Sequence, residues 1–308
     1  MRTGLSLLAA LATLPLFAGE TTVRERPYVG WGSDRLMFNR GALIAGDANR
    51  YGFNLLMTKP DRRGETRTYF CMTEPRRMFG FGQNGVDFLD LVVNGIPLAK
   101  LVPDDTSFQT WARDGRAGVD ALLNFDGCRI VVEASMEPGS PLLFLSVRTA
   151  EGGESPLESC RVRIRCVPSA MNVENGRHVG YRRFAKTAVR ELKTTDDRDR
   201  RHALRAEDCY VVLGDEKLDG SGPGKGYGPS YVLLPDDFTA VKQVELLLPN
   251  GYENAVEIDM KPGFDKIAFA VLQTPEAVSN DEFFKRFAGS IPLSPAGETQ
   301  VEGQHVEE

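Results

Sequence analysis

Short apolar or alternating segments, punctuated by two-residue turns, decide what this chain can become. Asn94-Gly95 stands between Val86–Val93 and Ile96–Val102, and Asp126-Gly127 between Ala121–Phe125 and Cys128–Met136. Both pairs favour the left-handed backbone that a tight antiparallel hairpin needs. Pro138-Gly139 then separates Cys128–Met136 from the apolar run Leu142–Thr149. The same grammar recurs at Tyr51–Thr58, Thr66–Thr73, Asp208–Leu213, Ser230–Leu234, Val241–Leu248, Ala255–Met260 and Lys266–Leu272. No long helical period interrupts these segments, so the strand–helix alternation of a parallel sheet is missing. The expectation is an all-β fold: a large two-sheet antiparallel β-sandwich with one short C-terminal helix. That helix is read over Pro275–Phe287, with Glu276, Asp281 and Glu282 early and Lys285-Arg286 late, as the helix dipole favours.

The first 18 residues read as an address. Arg2 precedes an apolar run from Leu5 to Phe17, and Ala18 suits the position before a cleavage site. This is the layout of a secretory signal peptide, and the run is too short for the roughly 20 residues that span a bilayer. No cysteine lies near the cut, so a lipoprotein anchor is not expected. The expected localisation is secreted or periplasmic, with no integral membrane segment. Residues 19–288 are expected to form the sandwich domain, and 289–308 a disordered acidic tail. Within the domain, 182–208 reads as a long loop insertion, because residues 182–205 hold nine Lys/Arg against four Asp/Glu.

The whole chain has 37 basic and 43 acidic residues, a net charge of −6, which argues against a nucleic-acid partner. Five cysteines are present, an odd number, so at least one thiol lacks an intramolecular partner. Cys160 to Cys166 alternates as a half-buried strand, and six residues at about 3.3 Å place the two sulfurs' backbones roughly 20 Å apart. They cannot bridge each other, and both read as small core residues. With three histidines and no C-x-x-C, no metal site and no cofactor are expected.

The nucleophile elbow G-x-S-x-G and the zinc motif H-E-x-x-H are both absent. Gly220–Gly228 is glycine-rich, but Lys225 is followed by Gly226 and a strand, so it reads as a loop rather than a phosphate cradle. Tyr227 near its tip suits stacking on a ligand. Arg161, Arg163 and Arg165 fall on one face of their strand, about 6.6 Å apart. They suit either an anionic partner or carboxylates on neighbouring strands. Glu253 and Glu257, four apart, share a strand face about 13 Å apart, and glycosidase carboxylates can also come from different strands.

The run Cys128–Phe144, with its Pro138-Gly139-Ser140-Pro141-Leu142-Leu143 turn, resembles a strand pair of the galactose-mutarotase-like sandwiches. Tyr210–Glu216, the glycine-rich loop and Tyr231–Leu234 are similar to the same architecture. The resemblance implies a carbohydrate-related sandwich of the kind found in aldose epimerases and as domains of secreted glycoside hydrolases and polysaccharide lyases. The epimerases use two histidines and a glutamate; here His178 matches one, with Glu245, Glu253 or Glu257 downstream, and no histidine precedes it. Mutarotation is therefore not expected.

The leading reading is an exported sandwich that recognises a carbohydrate, with an acidic polysaccharide favoured by its arginines. Trp31, Trp111 and Tyr227 would stack on sugar faces, and Arg182 or Arg183 would meet acidic groups. A second reading is a glycoside hydrolase or polysaccharide lyase using His178 or Tyr181 with Glu253 or Glu257. A third is a non-catalytic structural envelope protein.

Overall fold

Two antiparallel sheets face each other across one apolar core. The computed structural model describes residues 20–30, 32–75, 87–166, 173–174, 177–178, 183–192, 200–215, 230–235, 237–248, 254–274 and 280–287. The first sheet holds β1 (Thr22–Glu25), β2 (Leu36–Ala45), β3 (Arg50–Thr58), β4 (Thr68–Glu74), β5 (Leu89–Val93) and the short β6 (Ile96–Pro97). The second holds β7 (Thr106–Arg113), β8 (Arg116–Phe125), β9 (Cys128–Met136) and β10 (Leu143–Thr149). The chain returns to the first sheet as β11 (Cys160–Cys166), then forms the small hairpin β12 (Val173–Glu174) and β13 (Arg177–His178). It enters the second as β14 (Arg183–Thr187) and β15 (Glu191–Leu192), and crosses back as β16 (Arg200–Leu204). Strands β17 (Tyr210–Asp215), β18 (Ser230–Leu233) and β21 (Lys266–Gln273) complete the second sheet; β19 (Val241–Leu248) and β20 (Asn254–Met260) complete the first. Strand order is β1-β2-β3-β4-β5-β11-β20-β19-β16 in one, with β6 beside β5, and β15-β14-β17-β18-β21-β10-β9-β8-β7 in the other. The all-β two-sheet expectation holds.

Alternation explains how the sheets meet. In β11, Cys160, Val162, Ile164 and Cys166 point inward while the three arginines point out. In β8, Ala117, Val119, Ala121, Leu123 and Phe125 point inward, and Asp120 points out. Both cysteines of β11 are thus core side chains, and all five described cysteines are free thiols. Burial pushes the Cys160 thiol up to about 12, so it behaves as a small apolar group.

Each outer face is partly covered. Tyr28 packs with Leu56, Tyr69 and Cys71 over the first sheet. The helix α1 (Asn280–Phe287) lays Phe283 on Leu142, Tyr210, Val212, Tyr231 and Leu272 of the second. Residues 275–279 of the expected helix lie outside the described residues, as do 1–19 and 288–308, which carry the expected signal peptide and tail. No helix among the described residues is long and apolar enough to cross a membrane.

The segment 182–208, read from its charge as a loop, instead supplies β14, β15 and β16 at the edges of both sheets. Edge strands tolerate charge because one side meets water. The charges also find local partners. Arg190 donates to Asp208 at 2.9 and 2.7 Å, Arg201 meets Glu245 at 3.0 Å, and Arg205 meets Glu207 at 3.5 Å. Asp208 is fully buried. Burial opposes its charge, yet Arg190, the Arg205 backbone N–H and Thr187 outweigh that and hold its carboxyl below the ordinary range.

Candidate functional site

Six of the nine site residues read from the sequence fall, along the chain, at or between strand ends that share one end of the sandwich. Register places the strand ends: Cys166 pairs with Asn254, Arg200 with Leu248, Arg183 with Asp215, and Leu213 with Ser230. Asn49 ties the two sheets together at this end, donating to the carbonyls of Pro141 at 3.2 Å and Gln273 at 3.0 Å. The connections carrying His178, Tyr181, Arg182, Arg183, Tyr227 and Glu253 therefore leave and rejoin the sheets there. His178 and Arg183 are placed by backbone alone, opposite Val173 and Asp215. Tyr181, Arg182, Tyr227, Glu253 and Trp31 lie outside the described residues.

Glu257 is on the outer face of the first sheet, 5% exposed, and its carboxylate is occupied. Arg163 donates to it from Nε at 2.8 Å and from a second nitrogen, and Arg161 lies 3.5 Å away. Glu245 stands directly opposite on β19, a like-charge pair that the sheet tolerates because arginines flank it. Arg161 also reaches Asp259 at 2.7 Å, while Arg165 lies 3.6 Å from Asp87 and 3.5 Å from Asp90. Arg67 donates to Asp87 as well. Of the two roles open to the three arginines of β11, the structure shows the cross-strand one: Arg67, Arg161, Arg163 and Arg165 face Asp87, Asp90, Glu257 and Asp259.

Trp111 is half-buried on the outer face of β7, the edge strand of the second sheet. Its indole N–H donates to Asp120 Oδ1 at 2.9 Å, and Arg148 reaches the other oxygen at 3.4 Å. Gly118 lies directly opposite Trp111. The ring rests across that glycine: a Cβ there would come within 2.7 Å of Trp111 Cζ2. The Arg113 guanidinium sits 4.4 Å from the ring centroid. Next along the face, Glu133 stands opposite Asp120, held by Arg116 at 3.7 Å and by the Ser135 hydroxyl at 3.4 Å. An aromatic ring, two fixed carboxylates and three guanidiniums thus share one outer face of the sheet.

The fold keeps Trp111 away from Arg183, on the same sheet, and from Glu257, on the other. Seven strand steps separate β7 from β14, on the order of 34 Å along the sheet. The sequence reading missed Arg113, Asp120 and Arg148. The signal for the first two is Asp114-Gly115, a turn with both residues at positive φ, 53° and 74°. It folds Thr106–Arg113 onto Arg116–Phe125 and brings Asp120 to the ring. Among the described residues, no three His, Cys, Asp or Glu side chains converge as a metal centre requires.

No known protein family matches the sequence, and neither does any curated protein. Among solved structures, an α-N-acetylgalactosaminidase from Bifidobacterium bifidum is similar with a TM-score of 0.46 at 9% identity, over 85% of this chain and 38% of that one. The chain thus spans little more than a third of that enzyme's length. A candidate aldose 1-epimerase from Klebsiella pneumoniae is similar at 0.48 and 8% identity, over 88% of each chain. An α-galactosidase from Geobacillus stearothermophilus is similar at 0.40 and 7% identity, over 76% of this chain and 40% of that one.

Proposed function

We propose that this chain is an exported β-sandwich that recognises a carbohydrate, with acidic polysaccharide as the preferred class. The observation that carries the reading is Trp111, a half-buried indole fixed on the outer sheet face by Asp120, with Arg148 alongside. Aromatic faces take the C–H face of a pyranose, and neighbouring carboxylates and guanidiniums take its hydroxyls. The signal-peptide layout of residues 1–18 supports export, and the resemblance of Cys128–Phe144 to mutarotase-like sandwiches supports a sugar ligand. Arg182 and Arg183, apart from the local ion pairs of the segment that follows them, support an acidic one, at the end where Arg183 pairs with Asp215. Binding of an extended chain, rather than one sugar, accommodates the distance between that end and Trp111.

Thermal unfolding with neutral, uronic and sulfated glycans tests the proposal. A ligand at a hundred times its dissociation constant adds roughly 2.7 kcal/mol. At about 2–4 °C per kcal/mol, or somewhat less for a domain of this length, the midpoint rises by several degrees. The expected result is a rise with at least one glycan that Trp111→Ala abolishes. A flat response to the whole panel overturns the proposal, and a rise that survives Trp111→Ala moves recognition off this face.

A further inference from the structure

We infer that the Trp111 surface selects a uronate: the indole stacks on the pyranose while Arg113 binds the sugar's carboxylate. The inference rests on the reading that Trp111 binds sugar, and it adds the chemistry that chooses among sugars.

Arg113 differs from the other guanidiniums of its face. Arg116, directly opposite across the turn, lies 3.7 Å from Glu133 and 3.5 Å from Glu137. Arg148 is joined to Asp120. Arg113 is exposed, and among the described residues the partner of its guanidinium is the ring of Trp111, at 4.4 Å. Among the described residues it is a cation without a carboxylate partner, parked on the aromatic face that a sugar needs. Lys266, opposite Arg148 on β21, is exposed and adds a further positive charge at the rim. The carboxylates of the surface, Asp120 and Glu133, already have guanidinium partners, so an incoming anion does not meet bare negative charge.

This arrangement treats neutral and acidic sugars differently. A neutral pyranose reaching the ring displaces the guanidinium and offers it hydroxyls in place of the π face. A uronate gives it a carboxylate, which a guanidinium can take through two parallel N–H donors. Arg113 then leaves the ring for the carboxylate while the C–H face of the same sugar takes its place. The ring itself does not move, because Asp120 holds its N–H and Gly118 lies beneath it.

Calorimetric titration with a galacturonate tetramer and with a neutral galactose tetramer separates the possibilities. The native protein is expected to bind the uronate at least tenfold more tightly, with the margin shrinking as salt rises. Arg113→Gln is expected to remove that margin by weakening the uronate about tenfold and leaving the neutral tetramer unchanged or tighter. Arg113→Lys keeps the charge without the planar fork and is expected to fall between. If Arg113→Gln leaves the uronate-to-neutral ratio intact while Trp111→Ala abolishes both, the inference fails and the carbohydrate reading of the ring stands. If Trp111→Ala changes neither affinity, both fail. Thermal midpoints of the variants close to that of the native protein show that the changes act on binding rather than folding.

Discussion

The two outer faces of the sandwich are built from the same charged residue types and reach opposite ends with them. Each holds a pair of acids directly opposed across neighbouring strands: Glu245 with Glu257 on the first sheet, Asp120 with Glu133 on the second. On the first, Arg161 and Arg163 close over Glu257 and Arg201 over Glu245, so the charge is consumed inside the sheet. On the second, one acid is spent orienting an indole, and a guanidinium is left over that, among the described residues, touches only that indole. Number of charges does not distinguish a recognition surface from a structural one. What distinguishes them is a charge without its counterion, next to an apolar ring.

The largest way to break this contrast is to remove the acid at the centre of the first face. Glu257→Leu leaves Arg163, with a third of its side chain exposed, beside a new apolar group and without its main acceptor. Orphaning a buried ion costs about 3–5 kcal/mol, and the partial exposure of both arginines lowers that to about 2–3 kcal/mol. Denaturant unfolding is expected to show that loss. Adding Arg163→Met should recover most of it, because the uncompensated cation goes with the acid. A loss below about 0.5 kcal/mol in the single variant would mean the lattice is decoration, and the difference between the faces would then lie in the ring alone.

On the second face the decisive residue is one without a side chain. Gly118→Ala would bring a Cβ to 2.6 Å from the Ala134 carbonyl oxygen and 2.7 Å from Trp111 Cζ2. The first contact is with backbone of the neighbouring strand, so it cannot be relieved by a rotamer change. Overpacking of this kind costs about 1–3 kcal/mol. It is expected to shift the ring as well, changing the near-ultraviolet circular dichroism of the indole and lowering glycan affinity. Unchanged spectra with unchanged stability would show that the ring does not lie where its partners place it.

Most of the fold can be read from the residues because it rests on turns and alternation. Cys128–Met136 and Val241–Leu248 coincide with β9 and β19, since their inward positions are uniformly apolar. β2 escapes because Asn39, Arg40 and Gly41 interrupt its period where Asn39 turns to hold the backbone of Tyr28. β7 escapes because, as a half-exposed edge, it carries Thr, Ser and Gln on positions that a central strand would fill with Val or Ile. β14 to β16 escape because their charges are matched by Asp208 and Glu245, partners that the sequence shows only after folding. The site follows the same rule. Trp111 stands out by residue type, but Asp120 and Arg148 gain meaning only when two further strands bring them beside the ring.

The smallest effect tests a carboxylate of the first face that is only half satisfied. Asp87 is 5% exposed; one of its oxygens meets Arg67 and Arg165, and the other is buried without a hydrogen-bond partner. Burial therefore raises its pKa above the ordinary carboxylate value, against the pull of the two arginines. A raised folded value means that the folded chain holds the proton more tightly than the unfolded chain. Between the ordinary carboxylate pKa, about 4, and the raised one, the unfolded chain ionises first and stability drains away as pH rises. Asp87→Asn removes that titration. Its stability relative to the native protein is expected to improve from pH 4 to pH 7, by a small amount because Arg67 and Arg165 offset part of the burial. Denaturant midpoints of both proteins at the two pH values measure it. A relative loss for Asp87→Asn over the same interval would mean that the arginines win over burial, and Asp87 would then count among the fully compensated acids of the first face.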